Sequence, residues 1–219
     1  MKSSRKENRK VFTNLDRINS FSDGVFAVAI TLLVLSIAVP ALEGAHTNAN
    51  LLRSLSDVWE HFFAYALSFV IIGGFWYRHH ALFDELDRYD SVFVVMNLAL
   101  LMFIVFIPYP TSMIGKYSDI GLAVAIYSGT LMVSCVLMGA MALYATKGAR
   151  LVNADFNFEY SYAYVSRYAT VALWFLLSAG IAFVKPSAGL YVLLGLLVVS
   201  PIVERTRPFH TRYIAWIAR

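Results

Sequence analysis

Long uncharged apolar runs constrain this chain more than any other feature. Residues 24–42 carry no charged side chain and read GVFAVAITLLVLSIAVPAL. Similar runs recur to the C-terminal end, for example VFVVMNLALLMFIVFIPYPT at residues 92–111. A helix needs about 20 mostly apolar residues to cross a hydrocarbon core roughly 30 Å thick. With 59% hydrophobic and only 15% charged residues, and a mean hydropathy of +0.63, a water-soluble domain is excluded. The expectation is an all-α membrane protein that forms a single domain over residues 1–219. Its six transmembrane helices are placed at about 17–40, 58–77, 92–113, 120–144, 164–184 and 189–203. Pro108 and Pro110 end or kink the third. The N-terminal run extends to Val39 and is followed by further spans, so it reads as a retained first helix rather than a signal segment.

The basic residues divide unevenly between the two sides. One side holds Lys2, Arg5, Lys6, Arg9, Lys10 and Arg17, then Arg78 and Arg88, then Lys147, Arg150 and Arg167, and finally Arg205, Arg207, Arg212 and Arg219. The other holds only Arg53, Lys116 and Lys185. The excess of Lys and Arg on cytoplasmic segments then puts both termini in the cytoplasm of a multi-pass cell-membrane protein. An even number of spans agrees. The net charge of +4 thus reflects membrane orientation and implies no nucleic-acid partner. The outer loops, with Glu43, Asp57, Glu60 and Asp119, are slightly acidic. The single cysteine, Cys135, lies in an apolar run, reads as a small core residue and allows no intrachain disulfide.

The first span begins RINSFSDGVF, which sets Asp23 at the mouth of a lipid-length segment. On a helical wheel, Phe21, Gly24, Val28, Thr31, Leu32 and Leu35 share one face. Asp23 falls about 140° from Val28 and Ser22 about 120° the other way. A charge in a membrane segment faces a partner within the bundle. Candidates at the same depth are Arg17, the cluster FWYRHH with Trp76, Arg78, His79 and His80, and Asn97 in the third span. Ser22 and Asp23 are therefore expected in a structural polar network with Arg17, Trp76, His79, His80 and Asn97. The adjacent pair His79 and His80 point about 100° apart on a helix, and no HxxxH or HxxE spacing accompanies them, so no metal site is read. A stripe at Gly121, Ala125 and Gly129 suits close helix packing within or between subunits.

RINSFSDGVFAVAITLLVL, FWYRHHALF and NLALLMFIVFIPYPT, in that order, resemble the transmembrane protein 175 family. Arg17, Phe21, Ser22 and Asp23 match its R-x-x-x-F-S-D hallmark. The resemblance covers the first three spans; the last three agree in number and hydropathy. It implies a potassium channel with no re-entrant filter loop, and this chain shows no TVGYG-like segment. The first helix would line the central pore. Apolar gate rings fall at Val28, Leu32 and Leu35, with a threonine ring at Thr31. Val28 stands where the family often has isoleucine or leucine. A single six-span repeat implies a bacterial-type homotetramer in the lipid bilayer. No enzyme chemistry and no cofactor are implied, and the permeant species are K+ and other monovalent cations. A secondary transporter or a proton- or cation-permeable membrane protein is the alternative reading. Inverted repeats and helices broken at mid-membrane, common in transporters, are not seen apart from the Pro108/Pro110 kink.

Overall fold

The computed structural model describes residues 11–12, 14–42, 44–153 and 159–205. Helices dominate, because in lipid each segment satisfies its own backbone N–H and C=O groups. Helix α1, Asp16–Leu32, passes into a 3-10 turn at Leu33–Ser36. Ser36 Oγ donates to Leu33 O at 2.6 Å, Ile37 N to Val34 O at 3.1 Å, and Ile37 itself is extended. The helix thus stops short of the expected Pro40, a residue that lacks the N–H needed to continue it. Even so, α1 and its 3-10 turn together extend about 33 Å, enough to cross the bilayer core.

The 40–57 connection, expected as a loop, contains helix α2, Asn48–Asp57. Its HTNAN cluster is an N-cap: Thr47 Oγ1 accepts from Asn50 N at 3.3 Å, and Asn50 Nδ2 donates to Ala45 O at 2.8 Å. Helix α3, Trp59–Phe83, follows at 54° to α2 and runs through FWYRHH instead of stopping at Tyr77. Among the described residues, a short ladder corrects the all-α expectation. Strand β1, Val11–Phe12, pairs antiparallel with β2, Tyr89–Asp90.

Asp90 Oδ1 then caps helix α4, Ser91–Phe106, by accepting from Phe93 N at 2.9 Å. Helix α5, Pro108–Lys116, continues the same span after a break at Ile107, with Pro108 in its first turn, where no donor is lost. Helices α6, Gly121–Thr146, α7, Glu159–Val184, and α8, Pro186–Arg205, complete the order.

Among the described residues, four segments are long and apolar enough to cross a membrane: Asp16–Ser36, Ser91–Lys116, Gly121–Thr146 and Val165–Val184. The bent pair Asn48–Asp57 and Trp59–Phe83 makes a fifth, and Pro186–Gly195 is a shorter apolar helix.

Lipid tails are as apolar as leucine, so close approach and interhelical hydrogen bonds hold such helices together. Ala182 of α7 shows this. A Cβ on Gly121 of α6 would overlap the Ala182 backbone, and one on Gly189 of α8 would lie 2.7 Å from Ala182 Cβ. Gly121 therefore packs within the chain, whereas nothing lies within 4 Å of a Cβ at Gly129. Ser178 Oγ donates to Gly189 O at 2.8 Å, so the proton of the 3.0 Å Ser128–Ser178 bond comes from Ser128. Trp174 Nε1 donates to Val192 O at 2.6 Å. Cys135 is buried in α6.

The two faces of helix α1 and their anchor

Helix α1 has one face against the bundle and one away from it. Ile18, Ser22, Phe26, Ala29 and Leu33 are buried, and they fall within an arc of about 80°. Phe21, Gly24, Val28, Thr31, Leu32 and Leu35 are exposed in the chain. Val28 is 52% and Leu35 76% accessible, while Leu32, at the edge of the stripe, is 36% accessible. Leu35 lies in the 3-10 turn, three residues per turn, so it sits directly above Leu32. Thr31 Oγ1 donates to Val28 O at 2.9 Å. Its one proton is engaged, and its oxygen lone pairs are what it can offer a cation.

A chain of hydrogen bonds sets the rotation of α1. Ser22, His79 and Asn97 are all fully buried. Ser22 Oγ donates to Ile18 O at 2.8 Å and accepts from Asn97 Nδ2 at 2.9 Å. Asn97 Oδ1 is 2.8 Å from His79 Nε2. With the amide nitrogen turned to Ser22, that oxygen can only accept, so His79 carries its proton on Nε2. The His79 ring stacks on Phe83 at 4.3 Å and meets Phe26 at 5.3 Å. Helices α1, α3 and α4 are joined by this one relay.

Asp23 has a separate partner, because Trp76 Nε1 donates to Asp23 Oδ1 at 2.9 Å. The Trp76 ring stacks on His80 at 5.9 Å, and His80 Nε2 lies 3.8 Å from Asp84 Oδ2. The carboxylate at the mouth of α1 thus turns to an indole N–H on α3. Of the residues expected in the network, the structure brings Ser22, Asn97 and His79 into one group and Asp23, Trp76 and His80 into another. Arg17 is exposed and, among the described residues, joins neither.

A second buried relay was not anticipated from the sequence. Thr111 Oγ1 donates to Ile107 O at 2.8 Å, so Ser68 Oγ donates to Thr111 at 2.8 Å and Tyr127 OH donates to Ser68 at 2.8 Å. This ties α3 and α6 to the proline-broken segment. The available signal was a serine and a tyrosine within otherwise apolar helices, which lipid would leave unsatisfied.

The family described as endosomal/lysosomal potassium channel TMEM175 matches residues 17–108, a stretch that includes both the stripe and the relay of α1. A Streptomyces collinus protein named as a potassium channel is 34% identical over 173 residues, 77% of this chain and 82% of that relative. A Gallus gallus protein named endosomal/lysosomal proton channel TMEM175 is 32% identical over 109 residues, 48% of this chain and 22% of the larger protein. The crystal structure of a lysosomal potassium-selective channel TMEM175 homolog from Chamaesiphon minutus matches with a TM-score of 0.73 at 28% identity, covering 85% of this chain and 95% of that one.

Proposed function

The chain belongs to the TMEM175 family of ion channels, and on that premise we propose that it forms a potassium-permeable pore lined by the exposed face of α1. The observation that carries the proposal is the division of α1 into two faces. One is held by Ser22, Asn97 and His79, and the other offers Val28, Thr31, Leu32 and Leu35 to whatever lies beyond the chain. In this reading the chain is one six-helix channel domain with α8 as the sixth span. Four copies assemble around an axis in the cell membrane, with both termini in the cytoplasm.

Four such stripes make stacked rings. Aliphatic rings at small radius exclude water, so they gate by dewetting. An ion in the neck must shed part of its hydration shell, which costs less for K+ than for the more tightly hydrated Na+. The four Thr31 oxygens supply replacement contacts. Opening requires α1 to move so that the rings at Val28, Leu32 and Leu35 part.

Purified protein reconstituted in planar bilayers tests this reading. Expected are a K+ current, a larger basal current in Leu35→Ala, and block of a Thr31→Cys variant by a water-soluble thiol reagent. The native thiol, Cys135, is buried, so the unmodified protein provides a clean background. An inert Thr31→Cys channel, a monomeric protein, or saturable substrate-driven flux in place of current would overturn the reading.

A further inference from the structure

Where α6 leaves the membrane, the chain forms an open cleft of about 630 Å³ lined, among the described residues, by Tyr144, Lys147, Gly148 and Arg150. Two cations face one space there. Among the described residues, neither Lys147 nor Arg150 is paired with a carboxylate. The turn that sets them apart is unusual, since Gly148 and Ala149 both have positive φ, +68° and +50°. For alanine that is a disfavoured conformation. Two carbonyls of this turn, Ala149 O and Arg150 O, which would repel an anion, are engaged by Arg88. Arg88 Nε donates to Arg150 O at 3.1 Å, and its Nη2 lies 3.4 Å from Ala149 O. The end of α6 contributes about half a negative charge, less than either cation opposes to it. The Asp90 carboxylate is buried behind the cleft, with one oxygen accepting from Tyr144 OH and the other from Phe93 N.

We propose that this cleft binds a phosphate-bearing anion, either the headgroup of an acidic phospholipid or a free phosphate. Paired basic residues at the end of a membrane helix fit such a group. The site is also joined to α1. The Arg150 guanidinium lies over the Tyr144 ring at 4.5 Å. Tyr144 OH donates to Asp90 Oδ2 at 2.6 Å, Asp90 caps α4, and α4 carries Asn97 to Ser22. An occupant that draws Arg150 toward phosphate therefore acts on the helix that holds α1. This effect on current, though not the binding, rests on the pore reading above.

The full chain in neutral detergent, titrated in native mass spectrometry, tests binding without any current measurement. The probes are dioctanoyl phosphatidylglycerol, dioctanoyl phosphatidylcholine and inorganic phosphate. Expected is one anionic lipid per chain that phosphatidylcholine does not displace, weakened about thirtyfold in Lys147→Gln/Arg150→Gln. The charge-matched control Arg212→Gln/Arg219→Gln should change it less than twofold. Phosphate binding with the same sensitivity to Lys147 and Arg150 would also support the site and name a free anion as its ligand. Should the glutamine pair misassemble, Lys147→Arg/Arg150→Lys must retain the affinity. Equal loss in the control, no loss in the cleft variants, or loss in the charge-preserving pair would overturn the proposal.

Discussion

Replacing Asn97 by leucine asks whether the relay sets α1 in place. Leucine keeps the branched shape but has no polar atoms, so the change removes the Asn97–Ser22 and His79–Asn97 bonds, and its methyl groups, too bulky to approach at 2.8–2.9 Å, add packing strain. All three residues have no accessible surface, so the orphaned His79 Nε2–H finds no water. Ser22 keeps its own bond to Ile18 O and loses only the interhelical one. Interhelical bonds in membrane proteins contribute on average about 0.6 and at most about 1.7 kcal/mol. A buried donor left without a partner costs about 1–3 kcal/mol. Asn97→Leu is therefore expected to destabilise the chain by about 1.5–3 kcal/mol, and Ser22→Ala by about 1 kcal/mol. In a double-mutant cycle, read by tryptophan fluorescence during reversible unfolding in mixed micelles, the pair should couple by about 0.5–1.5 kcal/mol. The reversal potential of the assembled variant should stay at the wild-type value, because the relay lies opposite the stripe. Additivity of the two changes within about 0.3 kcal/mol would refute the reasoning. So would a shifted reversal potential in a fully assembled Asn97→Leu channel.

Other expectations follow from the same geometry. Trp76→Phe keeps a ring near His80 but removes the donor to Asp23, so the assembled fraction in light scattering should fall, and fall further in Asp23→Ala, with ion preference unchanged in both. Thr31→Val preserves shape and removes the hydroxyl, so the K+ over Na+ permeability ratio from bi-ionic reversal potentials should drop while conductance persists. Gly189→Val would place a side chain against Ala182, part α7 from α8 and strain the Trp174–Val192 bond. The expected loss is about 1–3 kcal/mol in an unfolding titration.

What could be read from the sequence depended on whether a requirement was local. The apolar runs and the α1 wheel are local, and the split between Ser22 and the Val28, Thr31, Leu35 stripe follows from helix geometry alone. The partner of Asp23 could be narrowed to a few groups at one depth. The choice of Trp76 over Arg17 depends on the rotation of α3, which no local pattern specifies. Helix α2 went unread because its apolar arc is only Leu51, Leu52 and Leu55, too short for a clear period. The end of α1 went unread because the Ser36 bond to a backbone carbonyl competes with helix invisibly in a run of aliphatics. The β1–β2 ladder consists of main-chain bonds, which carry almost no side-chain signal. The same logic explains why Ser22 and Asp23, and not Val28 or Leu35, belong to the hallmark of the resemblance. Ser22 and Asp23 meet particular donors and acceptors, and few other side chains could take their place. An aliphatic ring needs only bulk and an absence of polarity, which valine, leucine and isoleucine all supply. Two of the identifying residues of α1, Ser22 and Asp23, are thus ones that hold it, while the residues proposed to meet the ion lie on the face that the anchor leaves free.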